Sequence, residues 1–327
     1  MAGDREAIFV ETAARLHFGV LDLRGSAGRW FGGLGAAAPA PQLLLSVEAS
    51  ETLSADGEDA VRASGFAARY LSHYGLPPAG RVTVHRALPS HSGLGSGTQL
   101  ALAVARAFAE LHGHSVDVRV LAAAVGRARR SAVGTWTFAD GGFVVEGGRE
   151  RERDTCGPLV ARLPFPPEWR CIVAVPEASE PGLSGAAEDA VFASLPRPSE
   201  RDVERVAHLV LMLMLPALAD ADLAAFGRAL TEVQQITGRW FASVQGGAFA
   251  HGISAELISR MTEWRAPGVG QSSWGPAVYA IVAGDEEAKR LADRVRALLG
   301  SRGCVCEGPF RSHGARCWRG APIDFAP

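Results

Sequence analysis

The sequence predicts an α+β protein built as two layered halves. Three observations carry this. Short apolar strands interleave with amphipathic helices throughout the chain, so that each half has strands to cover with helices. A loop rich in glycine and hydroxyl groups joins a strand to a helix near residue 90. A proline-rich stretch at 158–167 separates the first set of elements from the second, placing a domain boundary between 1–165 and 166–327. The chain has 327 residues, 47% of them hydrophobic, enough to bury sizeable cores in one or two domains.

Taken in order, residues 8–13 and 42–49 read as strands, and 57–74 as an amphipathic helix stopped by Gly75 and the Pro77–Pro78 pair. Residues 81–88 alternate Val82 and Val84 with polar neighbours, as a half-buried strand does. After the loop at 89–97, Leu100, Val104, Ala107, Phe108 and Leu111 recur at helical spacing until Gly113. A further helix is expected over 118–130. In the second half, 171–175 reads as a buried strand, followed by helices near 200–215, 221–237 and 254–264. A strand at 277–283 and a helix at 285–299 complete the pattern.

Composition narrows the function. A formal net charge of -2 gives no electrostatic reason to expect nucleic acid or an anionic membrane as partner. The N-terminus carries Asp4, Glu6 and Glu11 without an apolar core of the kind a signal peptide has, and the most apolar run is short and broken by Pro216. A soluble cytoplasmic protein is expected. Lys289 is the only lysine, on what reads as a solvated helix face, which disfavours Schiff-base chemistry and a P-loop lysine. Cys156, Cys171, Cys304, Cys306 and Cys317 form neither a disulfide framework nor zinc-ribbon spacing, and read as ordinary strand cysteines.

The most informative segment runs from Pro89 to Thr98. Gly93, Gly95 and Gly97 allow the backbone to approach an anion closely, and the helix that follows offers unpaired N–H groups and the positive end of its dipole. Ser92, Ser96 and Thr98 add hydroxyl donors. This is neither a Walker A loop nor a Rossmann fingerprint.

The segment, with Leu94 between its first two glycines, resembles the second motif of the galactokinase, homoserine kinase, mevalonate kinase and phosphomevalonate kinase (GHMP) superfamily. Glu11 to Gly19 stands where that superfamily has its first motif, and Gly268 to Pro276 where it has its third. The resemblance implies an N-terminal domain like ribosomal protein S5 domain 2 and a ferredoxin-like C-terminal domain. It also implies a catalytic Asp counted back from Gly141 and Gly142, but Gly134 stands there, and a glycine cannot take a proton from a hydroxyl. The motif set as a whole is similar to the β-ribofuranosylaminobenzene 5'-phosphate synthase family. That resemblance implies joining of phosphoribosyl pyrophosphate to 4-aminobenzoate, or to 4-hydroxybenzoate, with loss of carbon dioxide and pyrophosphate, in tetrahydromethanopterin biosynthesis. An ATP-dependent small-molecule kinase is the alternative.

Roles follow from the resemblance. Ser92, Gly93, Leu94, Gly95, Ser96, Gly97 and Thr98 would hold phosphate or pyrophosphate. Gly134, Thr135, Gly268, Gly270, Gln271, Ser272, Ser273 and Trp274 would line the substrates, Trp274 by stacking or by packing. Arg15 and His17 would act on the benzoate carboxylate or the ribose phosphate. Magnesium is the expected cofactor, with Ser96 and Glu188 as candidate ligands, and a homodimer is the family expectation. Arg127, Arg129 and Arg130 read as a solvated helix face.

Overall fold

The computed structural model describes residues 6–150, 152–153, 155–177 and 185–321; of residues 185–189 it describes the backbone alone. The strands are β1 (Ala7–Asp22), β2 (Arg29–Glu48), β3 (Leu53–Gly57), β4 (Gly80–Arg86), β5 (Phe143–Glu146), β6 (Arg149–Glu150), β7 (Leu159–Leu163), β8 (Trp169–Pro176), β9 (Gly268–Gln271), β10 (Val278–Ala283), β11 (Gly303–Pro309) and β12 (Arg316–Gly320). The helices are α1 (Ala60–His73), α2 (Ser96–Leu111), α3 (Val118–Ala124), α4 (Val133–Asp140), α5 (Gly185–Ser194), α6 (Glu200–Leu209), α7 (Leu215–Ala219), α8 (Leu223–Trp240), α9 (Ala242–Gln245), α10 (Ile253–Glu263) and α11 (Asp285–Leu299). A π-helical stretch, Val210–Met214, joins α6 to α7.

The larger sheet runs β12-β1-β2-β4-β3, with β5 and β6 added along β2 and β7 beyond β5. Its pairings are antiparallel except for β3 with β4. The smaller sheet runs β11-β8-β10-β9. The last strand, β12, returns to β1, so the C-terminal segment closes the first sheet.

The smaller sheet is apolar on both faces, as period-two alternation in a covered sheet requires. Cys171, Val173 and Val175 point one way, into a core they share with Tyr279 of β10, Phe226 of α8, and Phe18 and Phe143 of the larger sheet. Ile172 and Ala174 point the other way, against α10 and α11 through Leu257, Leu291 and Val295. One hydrophobic core therefore runs between the two sheets and fixes the floor of the cleft between them.

Several boundaries differ from the sequence expectation. β2 is 20 residues long and includes the Gly- and Ala-rich run 33–38, which has little intrinsic strand preference. It is a strand because β1 and β5 pair with it on its two edges. The helix expected over 118–130 stops at Ala124, because Gly126 (φ 68°) and Ala128 (φ 64°) take left-handed conformations. Arg127, Arg129 and Arg130 thus lie on a loop, not on a solvated helix face. Among the described residues no helix is long and apolar enough to cross a membrane.

Candidate active site

β1 carries Arg15 and His17 two residues apart, on one face of the strand, with a register irregularity on either side of the pair. Such irregularities re-aim side chains. Here they turn both residues into a cleft of about 860 Å³ between the two sheets.

The glycine loop is fastened to this strand and to the turn after β9. The Arg15 N–H donates to the Leu94 carbonyl at 2.9 Å, and Arg15 Nη1 to the Gly93 carbonyl at 3.0 Å. Ser272 Oγ donates to the same Gly93 carbonyl at 2.7 Å and accepts the His17 N–H at 2.9 Å. The Ala277 N–H donates to the Ser92 carbonyl at 3.0 Å. A Cβ on Gly93 would collide with the Ser272 carbonyl, which is why this position needs a glycine. The three motifs, distant in sequence, are therefore joined by hydrogen bonds.

Gly95 sits at the N-cap of α2 with φ 74°, and no side chain caps the helix. The Thr98 and Gln99 N–H groups donate to the Gly95 carbonyl, and the N–H groups of Ser96 and Gly97 head the positive end of this 16-residue helix. Two guanidinium groups lie over it. A Cβ on Gly95 would be 3.2 Å from Arg15 Nε, and one on Gly97 would be 3.2 Å from Arg127 Nη2. Arg127 is held there by Phe66 of α1, its guanidinium carbon 4.8 Å from the ring centroid.

The rest of the lining extends this charge. Arg15, Arg62, Arg69, Arg127, Arg129, Arg130 and Arg149 all face the cleft, and the single carboxylate among the described lining residues is Glu152. Arg62 is paired with Asp59 at 2.7 Å, and guanidinium groups gathered in a cleft suit phosphate and carboxylate ligands.

His17 sits in the middle, its Nε2 3.2 Å from Ser131 Oγ. Burial first, and the Arg15 charge second, push its pKa from 6.5 down to about 3. At neutral pH it is an uncharged ring, with one N–H, that can hold or orient a substrate group but is not the imidazolium that a general acid would be. Behind it lies Glu146, fully buried. Its oxygens accept from the Ala132 N–H at 3.2 Å and the Gly148 N–H at 2.7 Å. Burial raises its pKa to about 7, against those two hydrogen bonds and the Arg29 charge, which favour the carboxylate.

The far end of the cleft is aromatic. Phe192 lies edge-on to Phe31 (5.8 Å, 90°), Phe241 (5.8 Å, 85°) and Trp274 (5.6 Å, 77°), and Phe241 meets Trp274 at 4.9 Å. Arg130 stands over Phe192 at 5.4 Å and Arg149 over Phe31 at 5.7 Å.

Of the residues expected at the site, Arg15, His17, Thr98, Gln271, Ser273 and Trp274 line the cleft. Gln271 also braces its wall, its side-chain amide accepting from the Ala250 N–H and donating to Gln245 and Ser273. Others serve the scaffold. Ser92 donates to the Pro89 carbonyl in its own loop, Leu94 is buried in the core, and Ser96 is buried in the first turn of α2. Gly268 and Gly270, read from sequence as a cleft wall, instead permit close packing. A Cβ on Gly268 would lie 3.4 Å from Gly227 Cα of α8, and one on Gly270 would fall on Gln234 and Tyr279. Gly134 stands against the first turn of α2, where its Cβ would lie 3.1 Å from Thr98 Cγ2. Thr135 is fully buried behind it. The Glu188 side chain lies outside the described residues. Sequence reasoning missed Phe31, Phe192, Phe241, Arg62, Arg69, Arg149 and Glu146. Only Glu146 left a visible trace, as a charge ending an apolar strand.

The GHMP kinases N terminal domain matches residues 61–148. Two proteins named beta-ribofuranosylphenol 5'-phosphate synthase are each 36% identical to this chain. The one from Methanothermobacter thermautotrophicus aligns over 94% of this chain and 98% of its own length, and the one from Archaeoglobus fulgidus over 91% and 94%. Among solved structures, homoserine kinase from Cytophaga hutchinsonii superposes with a TM-score of 0.71 at 18% identity, covering 97% of this chain and 99% of that one. Mevalonate pyrophosphate decarboxylase from Streptococcus pyogenes gives 0.68 at 14% identity, covering 95% and 99%. These structures show the GHMP kinase fold, and the sequence relatives show the family: the chain belongs to the beta-ribofuranosylphenol 5'-phosphate synthases.

Proposed function

We propose that this enzyme transfers a 5-phosphoribosyl group from phosphoribosyl pyrophosphate to the carboxylate-bearing ring carbon of a para-substituted benzoate, releasing carbon dioxide and pyrophosphate. The observation that carries this reading is the uncapped N-terminus of α2 with the Arg15 and Arg127 guanidinium groups beside it, in a cleft whose lining includes further arginines. The phosphoribosyl donor is a small molecule with an anion at each end, and this cleft supplies cations along its length.

The α2 N-terminus, Arg15 and Arg127 receive the pyrophosphate and stabilise the charge that grows on it as the bond to the anomeric carbon breaks. The para heteroatom pushes electron density to the ring carbon that bears the carboxylate. That carbon bonds to the anomeric carbon, and the pair from the breaking bond to carbon dioxide then restores the aromatic ring. No side chain has to remove a proton to create the nucleophile. A neutral His17 and a glycine at 134 are both compatible with that requirement. The relatives' names specify a phenol, so 4-hydroxybenzoate is the first acceptor to test and 4-aminobenzoate the second.

Magnesium enters this reading as the companion of the pyrophosphate, whose oxygens are hard ligands for it, with Ser96 and Glu188 as the candidate protein ligands. The kinase alternative rests on the shared fold alone. The test is an assay with carboxyl-labelled 4-hydroxybenzoate or 4-aminobenzoate, phosphoribosyl pyrophosphate and magnesium. Labelled carbon dioxide equimolar with pyrophosphate is expected; ATP-dependent phosphorylation of a metabolite without it would overturn the reading.

A further inference from the structure

We propose that Phe31, Phe192, Phe241 and Trp274, edged by Arg130 and Arg149, form the acceptor subsite, a chamber for one flat aromatic acid. This rests on the reaction proposed above and assigns that reaction's second substrate to named side chains.

Four independent features converge on it. The rings are half-buried and line the cleft, as Phe249 also does, whereas Phe18, Phe143 and Trp169 are buried in the core. Half-covered aromatic surface beside charged groups gains when a planar ligand covers it. The rings meet one another edge to face and so build one continuous aromatic wall from four separate segments. Phe31 itself has φ 70°, and Ser273, immediately before Trp274, has φ 56°. A bulky residue in the left-handed region is strained, and such strain concentrates where a side chain must be aimed. Finally, the guanidinium groups of Arg130 and Arg149 lie against Phe192 and Phe31, which places positive charge at the chamber's rim.

The position agrees with the chemistry. Arg130 precedes Ser131, whose hydroxyl is 3.2 Å from His17 Nε2, and Arg15 on the same strand face reaches the glycine loop. The order along the cleft is thus pyrophosphate end, His17, aromatic chamber. An acceptor in the chamber meets the anomeric carbon from the side opposite the departing pyrophosphate. Its carboxylate end faces His17 and Arg130, and its para substituent lies among the rings.

Steady-state kinetics with each substrate varied in turn provides the test. Phe192→Ala is expected to raise the KM for the aromatic acid about tenfold, from lost stacking and burial, while the KM for phosphoribosyl pyrophosphate stays within about twofold. Phe192→Tyr, which keeps the ring, is expected to restore acid binding. Calorimetric titration of 4-hydroxybenzoate into enzyme saturated with inorganic pyrophosphate gives the same comparison without turnover, and Trp274→Leu serves as a second variant should Phe192→Ala fold poorly. An active wild-type enzyme whose acid KM is unchanged in both Phe192→Ala and Trp274→Leu would overturn the chamber and leave the reaction intact. A wild-type enzyme that binds no phosphoribosyl pyrophosphate and releases no carbon dioxide would overturn the reaction itself.

Discussion

The two ends of the cleft are built by different means. The end proposed to take pyrophosphate is mostly backbone: one loop of ten residues, a helix N-terminus and three glycines, locked by hydrogen bonds to β1 and to the turn after β9. The aromatic end is entirely side chain, assembled from β2, α5, the segment after α8 and the turn after β9. A backbone site needs particular residues at fixed spacing, because only glycine permits the required approach. A side-chain site needs only that some large ring arrive at the right place, which many sequences achieve. The first kind is written in a motif and the second is not.

The largest expected effect breaks the backbone end. Gly95→Val places a branched side chain at φ 74° and against Arg15. Turnover is expected to fall by about 100-fold or more, since the N–H donors and a guanidinium are displaced together. Retained wild-type turnover in a folded Gly95→Val protein would remove the loop from the mechanism.

Gly134→Asp probes the same end from the opposite side. The carboxylate would press on Thr98 at the mouth of α2, near the departing pyrophosphate, and turnover is expected to fall about tenfold by like-charge repulsion. Gly134→Ala, with no charge and no positive φ to satisfy, is the control and is expected to lose much less. Equal losses in the two variants would assign the effect to crowding against Thr98 instead of charge.

An effect on stability, with none expected on the division of the cleft, concerns the floor between the two ends. Glu146 binds more protons folded than unfolded between pH 4.5 and 7, so its contribution to stability falls as pH rises through that window, by on the order of 3 kcal/mol. His17 binds fewer protons folded than unfolded between about pH 3 and 6.5, so its contribution rises with pH there. The two slopes oppose each other between pH 4.5 and 6.5. Glu146→Gln is expected to remove the falling slope, so that stability against urea climbs more steeply from pH 5 to 6.5 than in the wild type, where Glu146 opposes His17, His85 and His112. Parallel profiles for the two proteins would contradict the buried, half-protonated carboxylate.

This contrast also explains what was legible in the sequence. α1, α2, β4 and α11 followed from periodicity and punctuation, because each buries one face at its own repeat. The GHMP fold and the order of three motifs were legible through a family resemblance, carried by glycines that close approach requires, Gly93 foremost. The first half of β2 was hidden because its pairing partners, not its own Gly and Ala residues, make it a strand. α4 was hidden because it is short and buried on most sides. Arg127, Arg129 and Arg130 were misread because two residues in left-handed conformations end α3 early, and only the resulting loop carries them to the cleft. Phe31 and Phe192 come from distant segments, and no local pattern connects them.

The division of the cleft is tested most directly by binding of inorganic pyrophosphate, measured by calorimetry in the wild type, Gly95→Val and Phe192→Ala. Binding is expected to weaken at least about tenfold in Gly95→Val and to remain at the wild-type level in Phe192→Ala. Equal weakening in both variants, or in neither, would contradict a cleft with a backbone-built anion end separate from its aromatic end.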